Sequence, residues 1–118
     1  MTFFSLMQFS ESLKKNHQFQ FVFRNGKSYA NKYLVMYVKE NGLSGNRIGI
    51  SVSKKVGNSV VRHRVTRLVR ESYRLHESIF NSGLDIVIVA RPSAATVGYY
   101  EVESALLHLG KLHQIIKY

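Results

Sequence analysis

Between Arg62 and Arg74 the chain carries five arginines and no lysine, with His63 among them. At 100° per residue on a helix, His63, Arg67, Arg70 and Arg74 follow the spacing i, i+4, i+7, i+11 and share one narrow stripe. Arg62 and Arg64 fall on opposite flanks of that stripe. A guanidinium keeps its charge at any physiological pH and presents a planar fork of donors, so a row of them grips phosphate rather than moving protons. A face built only for solubility would mix both signs. Here Glu71 alone stands at the edge, and like charges are stacked at a cost to the helix. Just upstream, "SKKVGNS" sets Lys54, Lys55 and Gly57 beside the helix start, where free backbone N–H groups favour an anion. The chemistry written here is phosphate binding.

Other chemistry is sparse. The five histidines (His17, His63, His76, His108, His113) are scattered, and the five-residue step from His108 to His113 suits no shared helical face. No carboxylate pair and no phosphate-cradling glycine loop stands out, so no catalytic residue and no metal site is assigned. There is no cysteine, which excludes disulfides and thiolate metal sites and fits a reducing, cytoplasmic setting. Seventeen Lys and Arg against seven Asp and Glu give a net charge of +10, which favours a polyanionic partner. The opening "MTFFSLMQF" lacks the marks of a signal peptide, and no stretch reaches the ~20 apolar residues of a membrane span. Residues 1–9 are expected to form an arm packed on the protein's own surface. A membrane-surface role is disfavoured, because the basic helix offers no exposed Trp or Phe wedge.

The elements that must position the basic helix form one domain over residues 1–118. From Ser10, "SESLKKNHQFQFVFRNG" reads as a helix capped by Ser10 or Ser12 and ended by Gly26, with Phe19, Val22 and Phe23 on one side. Tyr33 to Lys39 reads as a strand that is apolar on both faces. "NGLSGN" (Asn41 to Asn46) is a hairpin signal. "RIGISVS" then alternates, with Ile48, Ile50 and Val52 opposite Gly49, Ser51 and Ser53. The small face leaves room for a close-packed helix or an open groove. The basic helix directs Val61, Val65, Leu68, Leu75 and Ile79 inward. It serves as a crossover to a buried strand, Asp85 to Ala90, which can lie parallel to an earlier one. A third helix in "EVESALLHLGKLHQII" buries Val102, Ala105, Leu106, Leu109 and Leu112. The sum is an α+β sandwich, helices on a small mixed sheet. Phe19, Phe23, Tyr33 and Tyr37 exceed what one side of so small a core needs. Singly each reads as core; together, beside a basic rim, they suit single-stranded nucleic acid.

The run "GISVSKKVGNSVVRHRVTRLVRESYR" resembles the signature of the protein subunit of bacterial ribonuclease P: a lysine pair, Gly-Asn, then Arg-Asn-Arg with further basic residues a helical turn on. "LKKNHQFQFVFRNGKSYAN" and "DIVIVARPSA" are similar to other parts of that family in the same order, so the resemblance covers most of residues 13–95. It implies a two-layer αβββαβα sandwich, like certain ribosomal protein domains, with the rare left-handed βαβ crossover. It also implies a partner, a large catalytic RNA, and a task, removal of the 5′ leader from precursor tRNA. The RNA with Mg²⁺ carries the hydrolysis, while the protein grips the leader in a cleft and strengthens functional metal binding.

By position, Lys55, Asn58, Arg62, His63, Arg64, Arg67 and Arg70 fall on the family's RNA-binding motif, and Arg74 continues their stripe. Phe19, Phe23 and Tyr37 fall on the leader cleft, with Lys54 and Arg91 at its rim. His63 replaces the usual asparagine, Ser59 a common alanine and Thr66 a common lysine. Two other readings stand beside this one. A plain RNA-binding or ribosome-associated module explains the charge and the fold, but not the ordered match. A self-sufficient ribonuclease with a histidine pair as acid and base would have to cleave precursor tRNA without RNA.

Overall fold

The computed structural model describes Met7 and residues 9–117. Its elements run β1 (Ser10–Ser12), α1 (Asn16–Asn25), β2 (Lys27–Ala30), β3 (Leu34–Glu40), β4 (Asn46–Ser51), α2 (Ser59–His76), β5 (Leu84–Ala90) and α3 (Tyr99–Leu112). They form one five-stranded sheet in the order β1-β4-β5-β3-β2. The strand β5 lies parallel to β4 and antiparallel to β3. The expected α+β architecture is present, with one short strand added at its start. Among the described residues, no helix is long and apolar enough to cross a membrane.

Four local expectations are corrected. The segment from Ser10 begins as a strand, and α1 starts only at Asn16. Ser10 caps nothing: its hydroxyl lies 2.8 Å from the Tyr73 hydroxyl, and β1 pairs in parallel with β4. The helix start is instead satisfied by Gln18, whose side-chain oxygen accepts from the Lys14 and Lys15 N–H groups at 3.1 Å each. Gly26 does end the helix, donating its N–H to the Val22 carbonyl at 2.8 Å.

The second correction concerns "NGLSGN". It reverses the chain, but β3 and β4 are not paired, because β5 inserts between them. The third is a rotation of α2. Its buried residues are Val65, Val69, Ser72 and Tyr73, while Leu75 is 55% exposed. The buried face is turned by about 70° from the expected one on a 100° wheel, because α2 packs against both the sheet and α3. The fourth is Leu112, which is exposed at the end of α3, where Ile115 takes its place in the core. Of the N-terminal arm, Met1–Leu6 and Gln8 lie outside the described residues. Met7 packs against the core and Phe9 is 62% exposed.

The main core sits between one sheet face and the α2/α3 layer. Ile48, Ile86, Ile88, Leu34 and Met36 meet Val65, Val69, Tyr73, Val102 and Leu106 there. Tyr73 has no exposed surface, and its hydroxyl also accepts from the Asn46 amide at 3.2 Å. A buried phenol with partners on β1 and β4 fixes α2 across the sheet without an unpaired polar group. The opposite sheet face carries α1.

His113, just past α3, donates its Nε2–H to the Met36 carbonyl at 2.8 Å and meets the Tyr29 ring edge-on at 4.7 Å. Burial pushes its pKa below the ordinary histidine value; nearby Lys27 acts in the same direction, and the Met36 carbonyl opposes them. The unfolded chain therefore takes up this proton more readily than the folded one. Stability from His113 is present above pH ~6.5 and is lost as pH falls. Thermal melts between about pH 7.5 and pH 5.5 should show a steeper loss for the native sequence than for His113→Gln. Parallel profiles would remove His113 as the cause.

Candidate nucleic-acid interface

Strand register divides the α1 side of the sheet into three rows. In the first, Arg47 and Asp85 are neighbours across β4 and β5. The Arg47 Nε and Nη2 donate to the Asp85 carboxylate at 2.8 and 2.7 Å, and the Asn41 amide adds a third bond at 3.0 Å. Hydrogen bonding to Asp85 raises the Arg47 pKa, and this two-bond pair closes this end. The second row is Gly49, Val87 and Tyr37. Here α1 lies down: a Cβ on Gly49 would stand 2.6 Å from the Phe19 ring, Val22 packs with Leu13 and Val87, and Phe23 meets Tyr37 edge-on at 4.9 Å. Glycine is needed at position 49 because the Phe19 ring occupies the place of its side chain.

The third row is Ser51, Val89, Val35 and Ala30, one residue from each of four strands. None of the four is fully buried. Phe19, Phe23 and Tyr37 are half-buried along its edge, with Phe19 and Phe23 6.5 Å apart. Lys54 follows β4 and Arg91 follows β5, both exposed at the end of this row. The Arg91 guanidinium donates to the Asn31 carbonyl at 2.9 Å, which anchors it over the β2–β3 turn. Phe19, Phe23 and Tyr37 come together beside this partly open row with Val89 packed against them, while Lys54 and Arg91 follow the C-terminal ends of β4 and β5. Tyr33 does not join them: it precedes the pleat of β3, packs on the main core and lies under the Lys32 ammonium at 5.4 Å. Val89 and Ala30 were not singled out from sequence, since their place depends on strand order.

The basic residues of α2 separate into groups. Asn58 is the N-cap, its side-chain oxygen accepting from the Val61 N–H at 3.0 Å. Lys54 and Lys55 are exposed in the turn before it. His63, Arg64, Arg67 and Arg74 line one groove along the helix. Within it Arg64 donates to the backbone carbonyls of Ala95, at 3.1 Å, and Val97, which join α2 to the loop before α3. Arg74 pairs with Glu71 one turn back, a partnership that raises its pKa. Arg70 lies outside that groove; burial depresses its pKa, and it is half-buried like Arg62. The expected single stripe is thus divided by how each side chain is engaged.

A family model described as Ribonuclease P matches residues 7–113. The chain belongs to the ribonuclease P protein family. It is 70% identical over 107 residues to the ribonuclease P protein component of Lachnoclostridium phytofermentans, covering 91% of this chain and 92% of that one. For the counterpart from Alkaliphilus metalliredigens the identity is 53%, over 93% and 99%. The solved RNase P protein of Staphylococcus aureus superposes with a TM-score of 0.82 at 35% identity, covering 89% of this chain and 96% of that one. That of Thermotoga maritima gives 0.78 at 32%, over 86% and 96%. The chain is accordingly a protein component of ribonuclease P, the ribonucleoprotein endoribonuclease of tRNA 5′ maturation. In this ribonuclease P protein, the motif and cleft residues lie on opposite sides of one sheet.

Arg62 and Arg64, symmetrical on the helical wheel, are not equivalent in the fold. Arg64→Ala removes both bonds to the loop before α3 and should lower the melting temperature. Arg67→Ala, outside the core and exposed, should leave it within a degree or so, as surface substitutions usually cost under about 0.5 kcal/mol. Equal melting temperatures for the two variants would show that Arg64 holds nothing.

Proposed function

We propose that α2 and the turn before it hold the catalytic RNA of ribonuclease P, while the cleft beside α1 holds the unpaired 5′ leader of precursor tRNA. The observation that carries this reading is the cleft: a row of half-buried residues flanked by Phe19, Phe23 and Tyr37 and ended by Lys54 and Arg91. Such a surface matches an extended single strand, rings against bases and cations against phosphates. Mature tRNA lacks that strand at its 5′ end, where its first nucleotide is already paired in a helix. Lys55, Asn58, Arg62, His63, Arg64, Arg67, Arg70 and Arg74 form the RNA-binding side of the proposal. Within it Asn58 orders the helix start and Arg64 the loop before α3.

No side chain of this protein is assigned to bond cleavage. Mg²⁺ would supply that chemistry by stabilising developing charge on the reacting phosphate. The acids best placed near the two surfaces are committed to arginines, Asp85 to Arg47 and Glu71 to Arg74. Among the described residues, no three His, Asp or Glu side chains gather as a metal site. These residues do not fit the ion, and the proposal leaves Mg²⁺ with the RNA. It also includes a cytoplasmic location and no membrane partner, supported by the absence of cysteine and of any exposed aromatic wedge on the basic helix.

Two measurements test the two surfaces. For the leader, dissociation constants of the holoenzyme are compared for precursor and mature tRNA at one fixed salt. Tyr37→Ala should weaken precursor binding about tenfold, since stacking contributes about 1–3 kcal/mol per base, and leave mature tRNA unchanged. Equal losses for both would make the cleft structural.

For the catalytic RNA, Lys55→Ala with Arg67→Ala should reduce the slope of log affinity against log salt by about one per lost phosphate contact. Arg70, half-buried, is a poorer choice because its loss also disturbs packing. An unchanged slope would make the basic face merely solvated.

A further inference from the structure

Along α2, where it meets the first turn of α3, runs a groove of about 790 Å³. This lies within the range of clefts that hold one small organic molecule, about 300–1,000 Å³. Its lining combines two chemistries: the polar heads of His63 and Arg67, and beside them apolar Val60, Leu68 and Tyr99. Val60 is 74% exposed, an unusual place for an aliphatic side chain at the start of a basic helix. Beside the groove Tyr100 is 79% exposed, and its ring meets that of Tyr99 edge-on at 5.6 Å.

Nucleic-acid duplex presents phosphates to a basic helix and asks for no apolar wall. A ligand with an anionic end and a flat apolar body uses both sides of this groove. Glu71 sharpens the choice, for its carboxylate lies in the lining and would repel a phosphate placed on it. Arg74 bonds both carboxylate oxygens, which retain lone pairs for a further donor. The exocyclic amino or ring N–H of a nucleobase is such a donor. The groove is also held open from its end, because Arg64 turns to the carbonyls of Ala95 and Val97 and fixes the approach of α3.

We infer that this groove traps a single unstacked nucleotide of the catalytic RNA, its base against Tyr99 between Val60 and Leu68 and its phosphate toward His63 and Arg67. The inference rests on the reading that α2 binds that RNA, and adds that α3 takes part in recognition. It makes the contact a shaped one: the helix reads a bulged or looped nucleotide, where charge alone would settle on any helical phosphate backbone.

The test uses reconstituted holoenzyme and two kinds of variant. Tyr99→Ala should lower affinity for the catalytic RNA about tenfold while leaving the salt slope unchanged, since a stacking ring and no phosphate contact is lost. Tyr99→Phe keeps the ring, loses only the hydroxyl's bonds to Glu103 and Ser72, and should bind normally. Separately, Val60 is replaced by the photoreactive residue p-benzoylphenylalanine, at a position too exposed to disturb folding. Irradiation should join it to one unpaired nucleotide of the catalytic RNA. Crosslinks spread over base-paired positions, to precursor tRNA or to another protein copy overturn the inference. So does a folded Tyr99→Ala protein with native affinity. If Tyr99→Ala does not fold, the crosslink alone decides. A native protein that fails to bind the RNA at all defeats the underlying reading; salt-dependent binding with a negative groove result defeats only the inference.

Discussion

The rest of the fold depends on burying β5 from both sides. Ile86 and Ile88 point to one face of the sheet and Val87 and Val89 to the other, in a strand whose only residue not fully buried is Val89. A central strand apolar on both faces needs cover on both. The α2/α3 layer covers one face completely. The other is left to α1, a helix of 10 residues and therefore about 15 Å long. It covers one row of the sheet, and the Arg47–Asp85 pair closes the row beside it. Among the described residues no element covers the row at the far end, and it stays partly open.

The close approach of α1 gives the cleft its aromatic edge. Gly49 lets the Phe19 ring down onto β4, and Phe23 then meets Tyr37 edge-on, a geometry worth about 0.5–1.5 kcal/mol beyond area burial. These rings are part of a small packed cluster and also border the open row. Their mutual packing holds each ring in place at the border of that row.

On the opposite side, α2 carries more positive charge than a helix tolerates without help. The fold deals with the charges one by one. Arg64 is spent on two carbonyls, Arg74 on Glu71, and Arg70 is half-buried. His63, Arg67, Lys54 and Lys55 remain exposed toward solvent. Because α1 and α2 lie on different sides of the sheet, a partner covering α2 leaves the α1 side accessible.

The helices α2 and α3, the strands at Tyr33–Lys39 and Asp85–Ala90, and the basic character of Arg62–Arg74 were all legible, since each is a property of neighbours along the chain. The small face of Gly49 and Ser51 announced a choice between a packed helix and an open groove. The fold takes both, the helix over Gly49 and the groove over Ser51. What could not be read was anything set by distant pairing. "NGLSGN" carries every local mark of a hairpin, yet β5 enters between its strands, because joining both β3 and β4 buries β5 more fully than an edge position would. Ser10 looks like a helix cap until Tyr73 and β4 draw it into a strand. The buried face of α2 is turned by about 70° from the wheel's because its direction of burial is set by the sheet and α3 together. Whether an arginine faces RNA or its own backbone was likewise decided by Ala95 and Val97, some thirty residues away. Residue order determined which segments are helical, apolar or basic; only tertiary packing decided which of those charges and rings stayed available.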